Sequence, residues 1–326
     1  MTPASTSRAA ILVVDDERFN RDLLSRLLGP YRYIVATAAD GESAFAAMAA
    51  KEPDLILLDV QMPGMDGFEV CRRIKQRAAS RLTPVVLVTG LNDRASKIKG
   101  IEAGADDFLS KPYDVEELVS RVASLVRLKR YTDELESAES VIVSLALTVE
   151  ARDPYTEGHC QRLAEHAASL GARLGLDQDQ IAALRRGGQL HDVGKIGIAD
   201  AVLLKTSRLT REEFETMKTH SVIGERLCGG LRSLAPVRPI VRHHHERRDG
   251  SGYPDGLRGD DIPLLAQIIG IVDVFDAMTT TRPYRAALPV QHAIDALQDE
   301  ASRGLHRQDL VDEFLSAAVN TQRPRP

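Results

Sequence analysis

Short apolar runs alternate with helical patterns over residues 9 to 112. The runs cover residues 10–14, 33–36, 55–58, 85–88 and 108–109, and none of them contains a charged residue. Strands that are apolar on both faces and separated by helices are typical of a parallel sheet that helices cover on both sides. The pattern therefore predicts a doubly wound α/β domain with a five-stranded parallel sheet.

Polar side chains that could act in binding or catalysis follow four of these runs. They are Asp15 with Asp16, then Asp59, Thr89 and Lys111. Ligands gather beyond the carboxyl ends of strands in open α/β sheets, so we expect these side chains at one sheet edge. A single Asp after a strand is most simply a helix N-cap, but capping does not explain the full set.

The chemistry of this edge follows from its charges. Crowded carboxylates repel each other, and a hard cation such as Mg²⁺ relieves the repulsion. Asp59 is then left as a nucleophile towards phosphorus, while Lys111 and Thr89 can contact phosphoryl oxygens. The Lys111-Pro112 bond is a candidate cis peptide, because cis bonds occur almost only before proline.

From Asp114 onwards the pattern is helical, and neither Gly nor Pro interrupts it before Pro154. Apolar residues recur in steps of three and four, which is a heptad seam and predicts a helical connector over residues 128–149. Two arrangements fit the seam: a parallel coiled coil between two chains, which we favour, or a helix packed along its own output domain. The seam residues are Leu128, Tyr131, Leu135, Ala138, Ile142, Leu145 and Val149.

Residues 150–320 show periodic apolar stretches broken by Gly- and Pro-containing loops, which predicts a mainly helical domain. His191-Asp192 and His244-His245 lie far apart in the chain, yet histidine and carboxylate together are the ligand set of divalent metals. Asp273 lies inside an apolar helical run, where burial is costly unless the carboxylate is paired or coordinated. The pattern predicts a site for more than one ion, and such sites hydrolyse phosphate esters.

Composition narrows the class of protein further. A chain of 326 residues fits two ordinary domains, and a formal net charge of −5 implies no broad nucleic-acid surface and no direct DNA binding. No apolar run is long enough to span a bilayer, the N-terminus lacks the features of a signal peptide, and no membrane insertion is expected. The three cysteines are far apart, which indicates reduced thiols in the cytoplasm. Residues 1–8 and 321–326 are expected to be disordered.

The residues at the sheet edge, together with segment 59–67 (Asp-Val-Gln-Met-Pro-Gly-Met-Asp-Gly), resemble the receiver domain of bacterial two-component response regulators. The resemblance covers residues 9–127. It implies a flavodoxin-like fold, Asp59 as the phosphoacceptor, Asp15 and Asp16 as Mg²⁺ ligands, and a sensor histidine kinase as partner. Phe108 lies where the family places a switching aromatic, although a core strand residue is an equally good interpretation.

A second resemblance lies in the helical region, in segments 191–195, 244–247, 249–254 and 273–278 and in His220. They look like the HD-GYP subgroup of HD phosphohydrolases, which degrades cyclic di-GMP. The resemblance implies an all-α HD-type domain with a di- or trinuclear site, often of iron or manganese. The metal ligands that it implies are His159, His191, Asp192, His220, His244, His245 and Asp273.

The same resemblance assigns further roles. Asp192 would bridge two ions and, with Lys195, act in catalysis. Lys195, Arg282 and Arg285 would hold substrate phosphates. Tyr253 could line the substrate entrance or equally pack beneath its loop. Glu246 is expected to orient a ligand imidazole.

Trinuclear members carry Glu four residues before the first His, where this chain has Tyr155, so we expect two ions. A hydroxide formed between them would attack one phosphorus of cyclic di-GMP and give pGpG, with GMP as a possible second product. Among the departures from the family pattern, Arg248 replaces an aromatic residue and Gln267 replaces an Arg.

The leading hypothesis is thus a phosphorylation-regulated, homodimeric cyclic di-GMP phosphodiesterase in the cytoplasm. One alternative is a signalling scaffold that binds nucleotide or protein without turnover. Another keeps the enzyme but changes its preferred substrate to pGpG or cyclic GMP-AMP.

Overall fold

A computed structural model describes residues 8–77, 80–90, 94–152, 158–280 and 287–321. The chain divides between Glu136 and Ser137 into two compact units, which are described separately below. Among the described helices, none is both long enough and apolar enough to cross a membrane.

The first unit is built on a parallel five-stranded sheet of order β2-β1-β3-β4-β5, which confirms the predicted flavodoxin-like fold. Strand β2 runs on to Ala38, two residues beyond the apolar run, because it stays paired with β1 as far as Val14. The strands are β1 (Ala10–Val14), β2 (Ile34–Ala38), β3 (Leu55–Asp59), β4 (Val85–Thr89) and β5 (Asp107–Ser110).

Two buried clusters cover the two faces of this sheet. Leu12 and Ile56 lie in one cluster and Ile11 and Leu55 in the other, as the alternation of side chains along a strand requires. The helices that cover the sheet are α1 (Arg18–Leu28), α2 (Gly41–Ala50), α3 (Gly67–Gln76), α4 (Arg94–Glu102) and the first part of α5 (Val115–Arg152).

Helix α5 continues for 38 residues without a break, as the sequence predicted for the connector. Along the heptad seam, Leu128, Tyr131 and Leu135 are all more than half exposed. Further along, Leu145 packs against a buried cluster of the second unit, and Val149 is 4% exposed. Packing of the connector along its own output domain is therefore confirmed for its C-terminal part, and the coiled coil between two chains stays a prediction for the exposed part.

The second unit is helical, as predicted, and six of its helices contribute side chains to its main buried cluster. Side chains fix several helix starts: Asp177 and Thr210 each cap a helix in a reciprocal pair with the residue three positions later. The helices are α6 (His159–Arg173), α7 (Gln178–Leu190), α8 (Asp200–Leu203), α9 (Arg211–Cys228), α10 (Arg238–His243), α11 (Leu264–Thr279), α12 (Val290–Ser302) and α13 (Gln308–Thr321).

Candidate metal centre and receiver site

The seven predicted metal ligands of the second unit form two groups, although they are spread over more than a hundred residues. Within each group, one ligand atom of every member lies within 4.8 Å of the others. The groups adjoin, because the first two members of the second group lie 3.4 Å apart at their Nε2 atoms and one of them neighbours Asp192 in the chain. The first group is Asp192, His220, His244 and His245, and the second is His159, His191 and Asp273.

Five helices bring these ligands together. His159 begins α6, His191 and Asp192 directly follow α7, and His220 lies in α9. The remaining ligands come from the segment after α10 and from α11. Gly270 of α11 makes the close packing possible, because a Cβ there would lie 2.6 Å from the backbone oxygen of His244.

Backbone carbonyls fix the orientation of three of the imidazoles. His191, His220 and His244 each donate from Nδ1 to the carbonyl oxygen three residues earlier, over 2.8–2.9 Å. A hydrogen bond at Nδ1 leaves the Nε2 lone pair for a metal, which is the usual arrangement around ligating histidines. Backbone carbonyls of the helices that carry these histidines therefore favour the Nδ1–H tautomer without help from other side chains.

Asp192 lies between the two groups. Its Oδ1 is 3.2 Å from His220 Nε2, and its Oδ2 is 3.3 Å from His191 Nε2. Among the described residues, Asp192 Oδ1, His220 Nε2 and His244 Nε2 are buried without an aligned hydrogen-bond partner. Buried polar atoms without partners cost stability, and acceptor lone pairs that converge on one point fit a divalent cation.

The electrostatics of the first group favour metal binding. Burial, together with neighbouring His220, lowers the pKa of His245 to about 3. Burial likewise lowers the pKa of His244 and His220. Burial would raise the pKa of Asp192, but Lys195 and the nearby imidazoles outweigh it and hold this pKa well below its usual range. Neutral imidazoles and an ionised carboxylate are the protonation states in which these groups bind metals.

His191 differs from its neighbours. Burial lowers its pKa, but the charge and hydrogen bond of Asp192 outweigh burial and raise it to about 9. A cation taking the place of this proton would meet the same negative charge of Asp192, which is the exchange that metal binding to a protonated site requires.

The 3-10 turn Val193–Gly197 places Lys195 at the same carboxylate. Lys195 Nζ donates to Asp192 Oδ2 over 2.5 Å. The turn lies directly on α9, and a Cβ at Gly194 would be 1.8 Å from the backbone oxygen of His220. Glycine at position 194 is therefore needed for the approach that sets Lys195 beside the metal groups.

Asp276 supports the second group, and the sequence argument did not assign it a role. It accepts from His159 Nδ1 over 2.7 Å and from Arg162 Nε over 2.9 Å. Burial would raise the pKa of Asp276, but these two hydrogen bonds lower it below its usual range. Its signal was present, because Asp276 lies three residues after Asp273 on an apolar helix, where the same burial argument applies.

The loop that contains Gly252-Tyr253-Pro254, called the GYP loop below, borders the first group of ligands. The Tyr253 ring lies 4.7 Å from the ring of His245 and 6.3 Å from that of His220, centroid to centroid. Tyr253 is largely buried and also contacts Phe214, so it packs beneath the loop and adjoins the metal groups at once. The predicted substrate ligands Arg282 and Arg285, like Tyr155, lie outside the described residues.

Glu246 corrects one expectation. Its carboxylate accepts from the backbone N–H groups of Asp255, Gly256 and Leu257 over 2.7–3.1 Å. It therefore holds the loop after Tyr253 in place instead of orienting a ligand imidazole. The sequence register was right, but three loop amides outcompete an imidazole because they surround the carboxylate directly.

The receiver site lies at the predicted sheet edge. One oxygen each of Asp15, Asp16 and Asp59 lies within 4.8 Å of the others. Lys111 Nζ is 3.0 Å from Asp15 Oδ2 and 2.9 Å from Asp59 Oδ1, and Thr89 is buried at the end of β4. The Lys111-Pro112 peptide is cis, as proposed from the sequence.

Charge pairing dominates this site. Burial raises the pKa of Asp59, while the hydrogen bond from Lys111 opposes the rise. Burial lowers the pKa of Lys111, but its hydrogen bonds to Asp59 and Asp15 outweigh burial and raise it. Phe108 is partly buried and packs on the sheet cluster, and a Cβ at Gly100 would lie 2.4 Å from its ring. A core role for Phe108 is thus present, and a switching role stays a prediction.

Comparisons with known proteins agree with this two-part architecture. Residues 11–123 match the response regulator receiver domain family, and residues 144–306 match the HD domain family. The cyclic di-GMP phosphodiesterase response regulator RpfG of Xanthomonas campestris pv. campestris is 35% identical over 94% of this chain and 86% of its own length.

Two relatives from Vibrio cholerae serotype O1 are also similar. A probable cyclic di-GMP phosphodiesterase is 34% identical over 98% of this chain and 80% of its own length. The 3'3'-cGAMP-specific phosphodiesterase 2 is 32% identical over 87% of this chain and 56% of its own length. The chain therefore belongs to the response regulators in which a receiver domain is combined with an HD domain.

Proposed function

We propose that this protein is a metal-dependent phosphodiesterase that hydrolyses cyclic di-GMP to pGpG under the control of receiver phosphorylation. The observation that carries the proposal is the convergence of seven histidine and aspartate side chains into two adjoining groups. The relatives named as cyclic di-GMP phosphodiesterases support the choice of substrate.

Each group would hold one divalent ion, iron or manganese, with Asp192 shared between them. Bound cations of this kind supply Lewis-acid charge and a water of lowered pKa. Asp192 would hold both ions, and the distances of its two carboxylate oxygens to His191 and His220 support this role. Asp276 holds His159 in the orientation that leaves Nε2 for the ion.

Lys195 would stabilise the reacting phosphate. Its ammonium already lies against Asp192 Oδ2, beside both ligand groups. A phosphoryl group bound there gains negative charge in the transition state, and a preorganised cation within reach stabilises that charge. Arg282 and Arg285 complete the proposed set of phosphate ligands.

One alternative substrate is also supported by a relative. A relative named as specific for 3'3'-cGAMP is 32% identical to this chain, so cyclic GMP-AMP is the second candidate. We favour cyclic di-GMP as the proposed substrate because relatives with that activity in their names match over more of their own length.

Control by phosphorylation would begin at Asp59, with Mg²⁺ held by Asp15 and Asp16 and phosphate supplied by a sensor histidine kinase. The signal would pass along α5, whose last turns border the metal centre. Glu150 of this helix accepts from the backbone N–H of Cys160 over 3.1 Å, and Cys160 follows the ligand His159. A rotation of α5 would therefore act on the start of α6 and on the first metal ligand.

Three further features belong to the proposal. The exposed seam residues Leu128, Tyr131 and Leu135 would pair with a second chain in a parallel coil, giving a homodimer. We assign residues 9–127 to the receiver domain, 128–149 to the connector and 150–320 to the HD-GYP domain. A cytoplasmic location is supported by three cysteines that are all buried and free.

Elemental analysis of anaerobically purified protein, paired with chromatography of products from cyclic di-GMP, tests the proposal. About two transition-metal ions per chain and linear pGpG are expected. Metal-loaded protein that binds cyclic di-GMP for hours without linear product would instead favour the scaffold hypothesis. Comparing kcat/KM for cyclic di-GMP, cyclic GMP-AMP and pGpG decides between the substrates.

A further inference from the structure

A cavity of about 600 Å³ lies beside the metal centre in the second unit. Its walls come from α8, from residues 205–209 and from the start of α9. The volume falls in the range of small-molecule sites, which is about 300–1,000 Å³. Residues that matter for the argument are Leu203, Arg208, Phe214 and Met217.

The cavity adjoins the metal ligands at two points. The backbone oxygen of Met217 accepts the hydrogen bond from Nδ1 of the ligand His220. Leu203 lines this cavity and also the small space bordered by Asp192 and Lys195. A molecule bound at the candidate metal site would therefore have this cavity beside it.

Aromatic contacts also connect the metal ligands with the cavity wall. Tyr253 lies against the ligand His245, and the ring of Phe214 meets the ring of Tyr253 edge to face at a centroid distance of 6.3 Å. Lys218 Nζ lies 5.0 Å from the Phe214 centroid and 5.8 Å from that of Tyr253. These contacts fix the orientation of the Phe214 ring, yet 44% of the residue stays exposed.

Two cationic side chains, Lys205 and Arg208, line the cavity. Lys205 is paired with Glu213 through both carboxylate oxygens, at 2.6 and 2.7 Å. Arg208 is exposed and forms no ion pair within the described part of the chain. A flat apolar ring and an accessible guanidinium beside a candidate phosphate-binding centre together match a nucleotide.

We propose that Phe214 is the stacking platform for a purine base of the cyclic dinucleotide, and that this cavity holds that base. The inference rests on the proposed function and adds a specificity residue to it. Stacking uses the π-face that every base has, so the platform would serve guanine and adenine alike. Discrimination between cyclic di-GMP and cyclic GMP-AMP would then come from other residues.

The test compares Phe214→Ala and Phe214→Trp with the wild type as full-length, metal-loaded protein. Removing the ring is expected to raise KM for cyclic di-GMP and for cyclic GMP-AMP by roughly tenfold each, with kcat changed less than about twofold. Trp should restore KM to within about twofold. Hydrolysis of methyl p-nitrophenyl phosphate, which has no purine, and the metal content should stay at wild-type values.

The matched control is Leu227→Ala, which removes an apolar side chain of similar exposure from the same helix. It lies thirteen residues away, about 20 Å along the helix axis, and should leave KM unchanged. Equal KM values for Phe214→Ala and wild type would overturn the platform. So would a loss of kcat and metal in Phe214→Ala that extends to the small diester, since it would indicate a structural role.

Failure of the platform and failure of the proposed function give different results. If the wild type hydrolyses none of the dinucleotides, the proposed function fails, and the platform is then tested by calorimetric binding of cyclic di-GMP. A Kd about tenfold weaker in Phe214→Ala supports the platform in that case, and equal Kd values or no wild-type binding overturn it.

Discussion

The receiver site and the metal centre both contain clustered carboxylates, which in the metal centre lie among five histidines, but the side chains of the two sites are assembled in different ways. In the receiver, the acidic residues follow parallel strands, so strand order alone brings Asp15, Asp16 and Asp59 to one edge. In the metal centre, no sheet aligns the ligands, and five helices must pack correctly before His159 meets Asp273. Strand order is thus enough to bring side chains together at a sheet edge, whereas a site between helices forms only when the whole helical core is packed.

The two sites also differ in burial. Asp16 is exposed, and a lysine already balances part of the receiver's charge. In the metal centre, His191 and His244 are almost completely buried. Asp192 Oδ1 and His220 Nε2 of the first group face each other, and neither has an aligned hydrogen-bond partner among the described residues. Loss of one ligand side chain should therefore weaken cation binding far more in the metal centre than in the receiver.

Asp192→Ala should have the largest effect. Turnover of cyclic di-GMP should fall at least roughly a thousandfold, because metal ions supply several kcal/mol and each 1.4 kcal/mol is a factor of ten. Metal content measured by elemental analysis should fall as well. Asp299→Ala removes an exposed carboxylate from the same unit and serves as the control. Wild-type activity in Asp192→Ala would refute the bridging assignment.

Asp276→Asn should have the next largest effect, and it tests whether the centre depends on residues behind the ligands. The substitution weakens the hydrogen bond that orients His159, so metal affinity should fall about 10- to 100-fold. Excess Mn²⁺ should restore most of the activity, because the ligands themselves are intact. Activity that excess metal does not restore would show that Asp276 supports folding instead of the metal.

The contrast between the sites also explains what sequence alone could predict. The strand ends and the cis Lys111-Pro112 bond were predicted because each depends on local pattern. For the metal centre, residue types and family spacing selected the ligands, but their division into two groups required the packed helices. The roles of Asp276 and Glu246 depend on contacts with distant segments, which no local pattern contains.

Two departures from the family pattern make the same point. Arg248 and Gln267 were noted separately in the sequence, yet Arg248 Nη1 lies 3.3 Å from Gln267 Oε1 and 2.8 Å from Asp260 Oδ1. The two positions lie far apart in the chain and form one polar contact, and only the fold shows that they are neighbours.

Glu150→Ala should have a smaller effect, confined to communication between the units. The variant loses the acceptor for the backbone N–H of Cys160 but keeps every proposed metal ligand. We expect metal content within about 20% of wild type and a clearly smaller response of hydrolysis to acetyl phosphate, since α5 loses its hydrogen bond to the start of α6. Glu134→Ala, an exposed position on the same helix, is the control. An unchanged response in Glu150→Ala would exclude this route.

Asp59→Asn should have the smallest effect on basal turnover and is the sharpest test of how the two sites are connected. The amide cannot accept a phosphoryl group, while the metal centre of the second unit keeps all its side chains. Basal hydrolysis of cyclic di-GMP should stay within about twofold of wild type, and acetyl phosphate should no longer change it. Asp66→Asn, which alters a nearby helix cap and leaves the acidic group intact, controls for general changes in the receiver. If acetyl phosphate still changed the rate in Asp59→Asn, the signal would enter elsewhere, and the strand-edge site would be separate from the control of the metal centre.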